Sequence, residues 1–379
     1  MTSELSSLCS YAKGKVSVDT LSKRNYVSTE NMMPNKGGIV DAGALPSAQY
    51  TQQYIKDDIL VSNIRPYFKK IWMADDDGAC SNDVLVFRAD RGCDSTFLYY
   101  ILANDAFFNY ASATSKGTKM PRGDKTAIMQ YKVPCFNYET QLRIGKLLRS
   151  IDDRIAVNKK INDNLQQQLF SLYENMATAS PCLKEYTLSN LCDFQEGYVN
   201  PPQTHPEYFD GEVKWLRAVD INESFIIETS RTLTKAGFES AKKSALLFEP
   251  NTIAISKSGT IGRLGIIADY MCGNRAVINI APHDTNMLAF IYCFLKSKQR
   301  EFPDMAVGSV QKNLYVSLLE PLSVSIPDNE SLTAFNAVGA SILGMIHNNC
   351  VENTDLANLR DTILPKLMSG EIDVSSVLL

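Results

Sequence analysis

Four loop segments of the 379-residue chain carry basic or amide side chains of the kind that contact nucleic acid. The segment SKSGTIGRLG (residues 256–265) sets Lys257 and Arg263 among three glycines, directly after the apolar stretch NTIAI. A glycine-rich turn that follows a strand can bring backbone amides close to phosphate groups. A tight hairpin with charged surface residues explains the same pattern. No lysine–serine pair of the nucleotide-binding kind follows, so nucleotide binding is not predicted.

The other three segments are SNIRPYFKKIW (62–72), TSKGTKMPRGDK (114–125) and GSVQKNLY (308–315). Arginine and lysine can hydrogen-bond to guanine edges, and glutamine and asparagine to adenine edges. Ordinary polar loop surface is the simpler explanation for any single residue. As a group, the residues that we predict to contact DNA are Arg65, Lys69, Lys70, Lys116, Lys119, Arg122, Lys257, Arg263, Gln311, Lys312 and Asn313.

No set of residues has the types and spacing of a catalytic site. NPPQ at 200–203 is similar to the base-binding motif of adenine methyltransferases, but glutamine stands where an aromatic ring would stack on a flipped base. DGEVK at 210–214 lacks a second acid at the spacing of a nuclease metal site, and the three histidines are dispersed. We therefore predict no catalytic residue, no metal and no cofactor.

The cysteines and the apolar runs indicate where such a chain would reside. The nine cysteines are scattered without a C-x-x-C pair, which favours reduced thiols over structural zinc or disulfides. No stretch approaches the roughly 18 uncharged apolar residues of a membrane span, and the N-terminal residues lack the pattern of a signal peptide. We predict a cytoplasmic protein without a membrane partner.

Comparison of the chain with itself reveals a tandem repeat. LSSLC (5–9) recurs as LSNLC (188–192), and FLYYIL (97–102) corresponds to FIYCFL (290–295). From Gly117 onward the two copies stay in register at an offset of 191 residues. Each copy is a globular domain followed by a long heptad segment. The predicted division is a first globular domain (1–137), a central helix (138–180), a second globular domain (181–327), and a C-terminal helix with a tail (328–379).

The heptad segments predict paired helices. Residues 146–176 contain neither glycine nor proline and place apolar residues alternately four and three apart. Two positions of this seam hold Asn158 and Asn162, which recur in the second copy as Asn349 and Asn353. A single helix on a core would bury these amides without partners, whereas asparagine in a coiled-coil seam fixes the register at a cost in stability. We predict an antiparallel helix pair whose register these four residues set.

These segments resemble the specificity (S) subunits of type I restriction–modification systems. The resemblance lies in the domain–helix–domain–helix order, in the helical segment YETQLRIGKLLRSIDDRIAVNKKINDNLQQQLFSLYENM, in IAISKSGTIGRLGII, in VGSVQKNLYVSLLEPLSVSIP and in the ending LRDTILPKLMSGEIDV. It covers nearly the whole chain. The segments that enter the helices, VPCFNYETQ and SIPDNESL, depart from the usual proline-rich linkers of that family.

The resemblance implies an α+β fold: two target-recognition domains of short strands and helices, separated by a long antiparallel two-helix coiled coil in a pseudo-two-fold repeat. It implies that each domain reads one half of a bipartite target in double-stranded DNA. It further implies that the helices set the spacing of the half-sites and dock two methyltransferase (modification) subunits, with restriction (translocase and nuclease) subunits as further partners. The chain itself would be non-catalytic. The alternative from another class is a coiled-coil scaffold presenting two protein- or RNA-binding domains.

Charge bears on how such a chain would bind DNA. Residues 1–137 contain 16 basic and 14 acidic residues, residues 181–326 contain 14 and 16, and the whole chain has a formal net charge of −4. DNA-binding proteins usually carry a basic surplus, because much of their affinity comes from neutralising phosphates. We therefore predict weak binding by the isolated chain and dependence on partner subunits.

Overall fold

The computed structural model describes residues 2–179, 184–309 and 311–375. The chain forms two compact units. Unit 1 comprises residues 1–154 and 356–379, and unit 2 comprises residues 155–355. Each unit therefore combines one globular domain with a part of each long helix.

The first half of the chain supplies the first globular domain and one long helix. Its strands are β1 (Thr2–Glu4), β2 (Cys9–Tyr11), β3 (Lys15–Ser17), β4 (Tyr26–Val27), β5 (Tyr50–Tyr54), β6 (Ile59–Ser62), β7 (Ile71–Met73), β8 (Gly78–Cys80), β9 (Val84–Ala89) and β10 (Lys132–Pro134). Its helices are α1 (Ser95–Ala103), α2 (Asp105–Ala113), α3 (Lys125–Met129) and α4 (Tyr138–Ala179).

The second half follows a similar order, with one more strand and one more short helix among its described residues. Its strands are β11 (Lys184–Thr187), β12 (Cys192–Glu196), β13 (Phe209–Leu216), β14 (Phe225–Ile226), β15 (Thr232–Leu233), β16 (Leu247–Phe248), β17 (Ile253–Ser256), β18 (Leu264–Ile267), β19 (Met271–Gly273), β20 (Val277–Pro282) and β21 (Ser323–Ile326). Its helices are α5 (Lys235–Glu239), α6 (Leu288–Lys298), α7 (Phe302–Met305), α8 (Val316–Leu319) and α9 (Asn329–Ser369).

The sheets confirm the internal repeat that the sequence predicts. In the first domain the strand order is β2-β9-β6-β7, and in the second it is β12-β20-β17-β18, with β14 added beyond β18. Each domain also pairs its first strand with the strand that precedes its long helix, β1 with β10 and β11 with β21. The second sheets are β3-β5-β8-β4 and β15-β13-β19-β16, and each contains one parallel pair. The mixture of sheets and helices is the predicted α+β architecture.

Apolar side chains from the first sheet, from α1 and α2 and from both long helices form the core of unit 1. Phe87, Phe97, Leu148 and Leu367 are fully buried in this one cluster. Asp94 caps the start of α1 by accepting a hydrogen bond from the backbone N–H of Phe97 at 2.8 Å. The core of unit 1 therefore contains side chains from the beginning of the chain and from the last turns of α9.

The core of unit 2 is built in the same way. Helix α6 is buried along most of its length between the sheet and the long helices, as its continuous apolar sequence predicts. Leu169 of α4 and Ile346 of α9 are 1% exposed in the same cluster. Leu172 follows Leu169 by three residues and continues the alternating four-three pattern predicted for the seam of α4, but it is 41% exposed. No helix of the described residues is both long and apolar enough to span a bilayer.

The cysteines of the described ranges are free thiols. Cys9 and Cys192 occupy equivalent places, at the starts of β2 and β12, and both are buried. Burial raises the pKa of the Cys192 thiol to about 12, with the nearby Asp193 adding to the effect. These two residues thus act as small, protonated core side chains.

In unit 1 a charged cluster joins α4 to α9. Asp152 accepts hydrogen bonds from the Tyr100 hydroxyl and from an Arg360 guanidinium nitrogen, both at 2.6 Å. Burial raises the pKa of Tyr100, and the carboxylate of Asp152 raises it further. At the repeat offset of 191, positions 152 and 360 correspond to Leu343 and Leu169, which are both buried in unit 2. One repeat therefore uses an ion pair where the other uses two leucines.

In unit 2 the four asparagines meet in pairs. Asn158 Nδ2 donates to Asn353 Oδ1 at 3.1 Å, and Asn349 Nδ2 donates to Asn162 Oδ1 at 2.8 Å. The repeat maps one pair onto the other, and residue numbers rise along α4 as they fall along α9, so these segments run antiparallel. The symmetry is incomplete, because Asn158 Nδ2 also donates to Glu352 at 2.8 Å and Asn158 Oδ1 is buried without a hydrogen-bond partner.

Replacing Arg360 alone should destabilise unit 1. In Arg360→Leu the partly buried Asp152 loses its cationic partner, which should cost about 1–3 kcal/mol of unfolding free energy, less than for a fully buried pair. The triple variant Tyr100→Phe/Asp152→Leu/Arg360→Leu imitates the apolar pair of unit 2 and should recover to within about 1 kcal/mol of the parent.

Urea unfolding measured by Trp72 fluorescence, in a Trp215→Phe background, would report on unit 1. The matched control is Arg149→Leu, whose partner Asp153 lies on the same helix at 2.8 Å but is 58% exposed, so we expect a change below about 0.5 kcal/mol. If the triple variant were as unstable as Arg360→Leu, the ion pair would be specifically required.

Candidate nucleic-acid interface

An equivalent antiparallel backbone bridge closes a hairpin in both domains. In the first domain Lys116 and Arg122 exchange backbone hydrogen bonds of 2.8 and 2.9 Å. In the second domain Val307 and Asn313, exactly one repeat offset later, exchange bonds of 3.0 and 2.9 Å. The two polar loops that sequence analysis grouped together therefore share one backbone frame.

Glycine opens the turn of each hairpin. Gly117 has a φ of 95° and Gly308 a φ of 142°, values that L-residues rarely adopt. A Cβ atom at Gly308 would lie 2.2 Å from the carbonyl oxygen of Gln311. The tight turn of the second hairpin therefore requires glycine at position 308.

Each hairpin is hydrogen-bonded to a loop at the end of a strand in the first sheet of its domain. This strand is β6 in the first domain and β17 in the second. In the first domain Gly123 N donates to the Asn63 carbonyl at 3.1 Å, and Arg65 N donates to the Pro121 carbonyl at 2.8 Å. In the second domain Leu314 N donates to the Lys257 carbonyl at 2.9 Å. The structure therefore brings together, within each domain, the two groups of predicted contact residues that lie about 50 residues apart in sequence.

Acidic neighbours orient several of the predicted contacts in the first domain. Lys116 forms an ion pair with Asp124 at 2.5 Å, and Arg122 forms one with Asp83 at 2.9 Å. The hydrogen bond from Lys116 lowers the pKa of Asp124, as do backbone N–H groups of α3. The side chain of Arg122 remains 55% exposed, so it can still reach an external acceptor.

The loop between β6 and β7 holds the other three candidates of this domain. Lys69 pairs with Asp105 at 2.8 Å, and Lys70 Nζ donates to the Thr29 carbonyl at 2.6 Å. Burial lowers the pKa of Lys70. Arg65 is half-buried, and its Nε atom has no hydrogen-bond partner. Lys70 thus positions this loop internally, whereas Arg65 retains an unsatisfied donor.

In the second domain Lys257 is also held internally. Its Nζ atom pairs with Glu196 at 2.7 Å and lies 4.8 Å from the centroid of the Tyr315 ring, and only 13% of its side chain is exposed. The Asn313 amide donates to the Gln311 carbonyl at 3.2 Å, which braces the hairpin. Gln311 and Lys312 are exposed at the tip of the turn.

Lys119, Arg263 and Lys312 form no ion pair with any other residue that the structure describes, and Lys119 and Lys312 are exposed. An unpaired cation can bind a phosphate without first breaking an internal contact. These three residues are therefore the candidates best prepared for an anionic ligand.

A partly buried hydrogen-bond network supports the glycine-rich loop of the second domain. Glu223 accepts hydrogen bonds from Lys296 at 2.5 Å and from Gln299 at 2.8 Å, and Gln299 also donates to the Gly262 carbonyl at 2.9 Å. Gln166 of α4 donates to the Glu223 carbonyl at 3.0 Å. The loop that carries Arg263 is thereby connected to α6 and to α4, a connection that sequence analysis missed because no periodic pattern marks it.

No cluster of potential metal ligands occurs within the ranges 2–179, 184–309 and 311–375. The arrangement consists of cations, amides and backbone donors on exposed turns. Such a surface can bind a polyanion and read its hydrogen-bonding edges.

Two α+β domains of one fold, each with a polar hairpin beside a strand-end loop, define a duplicated recognition protein. The family model for the type I restriction modification DNA specificity domain matches residues 1–167 and again 183–354. The chain belongs to this family and carries its domain twice. It is a non-catalytic specificity subunit of a type I restriction–modification system that recognises DNA and assembles with other subunits. The family argues against the scaffold alternative.

Curated relatives agree with this assignment. The HindI specificity subunit of Haemophilus influenzae is 27% identical over 435 aligned positions, which cover 92% of this chain and 94% of the relative. The MjaIX specificity subunit of Methanocaldococcus jannaschii is 24% identical over 308 positions, covering 76% and 71%. The solved S subunit from M. genitalium has the same fold, with a TM-score of 0.56, 18% identity and coverage of 97% and 96%.

Removing one exposed cation from a hairpin tip should weaken DNA binding by the complex assembled with its methyltransferase subunits. If Lys119 and Lys312 each neutralise one phosphate, Lys119→Gln or Lys312→Gln should reduce the slope of log K against log salt by about 0.9. A base contact would instead leave the slope unchanged and relax the motif at one position.

Lys235→Gln is the matched control, because Lys235 is also exposed, at 85%, but lies on α5 rather than on a hairpin. Affinity is measured from 50 to 200 mM salt on a duplex with the recognised motif. Equal slopes and affinities for all three variants would exclude the hairpin tips as contacts.

Proposed function

We propose that the two domains each read one half of a bipartite site in double-stranded DNA. The observation that carries this proposal is the shared hairpin frame with different side chains. Lys116 and Arg122 occupy its base in the first domain, and Val307 and Asn313 occupy the same places in the second. One backbone frame with different donors and acceptors would present each half-site with its own pattern of contacts.

We further propose that the long helices set the number of base pairs between the half-sites and dock two methyltransferase subunits. Two features support this. The asparagine pairs favour one register of α4 against α9 in unit 2. Exposed apolar residues on the helices, among them Val157, Val338 and Met345, are 47–48% exposed and offer surface for another protein. Restriction subunits with translocase and nuclease activity would join this assembly.

Reconstitution tests the proposal. The isolated chain has a net charge of −4, so at physiological salt it should bind its motif little better than a scrambled duplex. Adding the methyltransferase subunits should tighten specific binding by orders of magnitude, because their surface completes the contact with the duplex. Fluorescence anisotropy on both duplexes, with and without the subunits, would measure this.

The control is the same subunits without the chain, which should show no preference for the motif. Tight, specific binding by the chain alone would refute the dependence on partners. Loss of duplex binding in the full mixture would refute the proposed function itself.

A further inference from the structure

The most unusual backbone of the first domain lies beside its hairpin. Four of the non-glycine residues with a left-handed conformation occur together, in two loops: Asn35 (φ 55°), Lys36 (φ 61°), Arg65 (φ 50°) and Lys69 (φ 51°). This region of backbone conformation is sterically disfavoured for residues with a Cβ atom, although asparagine tolerates it better than lysine or arginine. Such a concentration of strain persists where surrounding contacts enforce it, and it is characteristic of functional sites.

The contacts that enforce it are long-range. Asn35 N donates to the Phe68 carbonyl and Lys36 N to the Lys69 carbonyl, both at 2.8 Å. Lys36 and Lys69 also share the carboxylate of Asp105, at 3.0 and 2.8 Å. The two loops are thereby locked to each other and to the start of α2.

This locked frame presents two aromatic rings to solvent. Arg65 and Lys69 flank a 3-10 turn, Pro66–Phe68, in which Pro66 is buried while Tyr67 is 52% and Phe68 is 39% exposed. The two ring centroids lie 4.8 Å apart. Lys70 Nζ lies 5.9 Å from the Phe68 ring, so a cation borders the aromatic surface.

We propose that Tyr67 and Phe68 form an aromatic wedge that packs against a base step of the half-site read by the first domain. The wedge adds to the proposed DNA function and rests on it. Arg65, whose Nε donor has no hydrogen-bond partner, stands directly before the turn that carries the rings and suits a phosphate of a duplex. The flat apolar faces of the rings suit bases or sugars where stacking opens. The backbone bond from Arg65 to Pro121 makes the wedge continuous with the predicted hairpin contacts. Aromatic and apolar wedges of this kind unstack a step and bend the duplex.

The second domain has no equivalent pair. Its corresponding loop, SKSGTIGRLG, contains three glycines and no aromatic residue. The wedge therefore predicts that sequence-dependent deformability contributes at one half-site and not at the other.

The test uses the complex of the full chain with its methyltransferase subunits. Duplexes carry the recognised motif with 2-aminopurine at successive positions of either half-site. On binding, the fluorescence of one step in the first domain's half-site should rise. Tyr67→Ala/Phe68→Ala should abolish this rise and weaken binding roughly 5- to 150-fold, which is the stacking energy of one base, about 1–3 kcal/mol, converted at 1.4 kcal/mol per factor of ten. The salt slope should not change, because no charge is removed.

Two controls accompany the test. Tyr67→Phe/Phe68→Tyr retains both rings and should retain the fluorescence rise, which separates loss of the wedge from loss of the fold. Tyr50→Ala removes an exposed tyrosine, 55% exposed, from β5 in the other sheet of the same domain and should behave as the parent. If the double alanine variant matched Tyr50→Ala in affinity and fluorescence, while Lys119→Gln still weakened binding, the wedge would be excluded and the proposed function retained.

Discussion

Replacing residues 1–137 with the equivalent domain of another type I specificity subunit should change the bases of one half-site and leave the other half-site unchanged. This follows if each hairpin and its strand-end loop contact only their own half-site. The measurement is the methylated motif in genomic DNA of cells that carry the chimaera with its methyltransferase. The expected change is complete at one half, since each mismatched base pair costs about 1–3 kcal/mol.

The structure also prescribes how to build the chimaera. The grafted domain must pack on Ile144 and Leu148 of α4 and on Leu364 and Leu367 of α9, which stay in place. The reciprocal exchange of residues 181–327 is the matched control and should change the other half-site only. A simultaneous change of both half-sites in either chimaera would refute independent reading by the two domains.

Lengthening both helices by one heptad should lengthen the spacer between the half-sites by about three base pairs. The insertions belong after Ile161 and after Glu352, which correspond at the repeat offset. Seven residues add about 10 Å of helix and keep the heptad seam in phase. At about 3.4 Å per base pair, this is close to three steps of the duplex. Both asparagine pairs survive, since each pair lies wholly on one side of the insertions.

Insertions of four residues at the same two points provide the control for phase. They add about 6 Å, equal to one or two base pairs, but turn the seam by about 40° beyond a full turn. We expect either that longer spacer or failed assembly, with the bases of each half-site unchanged. Methylome sequencing again gives the answer. An active heptad variant with the parent spacer would show that the helices do not set this distance.

The architecture could be predicted from the sequence because each of its features occurs in both copies of the repeat. A single pair of asparagines in a seam has several explanations, whereas the recurrence of Asn158 and Asn162 as Asn349 and Asn353 favours helix pairing, in which the amides can bond to one another. The structure shows those amides hydrogen-bonded to one another. The α+β fold and the family are confirmed, while the roles of the individual DNA-contact candidates and the four-segment division remain predictions.

The contacts of the individual residues in the candidate site could not be predicted from the sequence. Lys69 and Lys70 are neighbouring basic residues that the sequence does not distinguish. In the structure Lys69 pairs with Asp105, whereas Lys70 donates to the backbone carbonyl of Thr29. The pairing of the loops at 35–36 and 68–69 depends on backbone hydrogen bonds between distant segments, which leave no periodic trace. The left-handed conformations of Asn35 and Lys36 likewise become visible only in three dimensions.

The way the long helices are shared between the units has a consequence for biosynthesis. Leu364, Leu367 and Val374 belong to the core begun by Leu5 and Cys9, and the whole of unit 2 is encoded between the two parts. A ribosome adds about 5–20 residues per second, so synthesis of the roughly 200 intervening residues takes about 10–40 s. The apolar side chains at the end of α9 therefore become available to the core of unit 1 only after this delay. During that interval the face of α1 and α4 that receives them stays uncovered. The domain that leaves the ribosome first is therefore the one finished last.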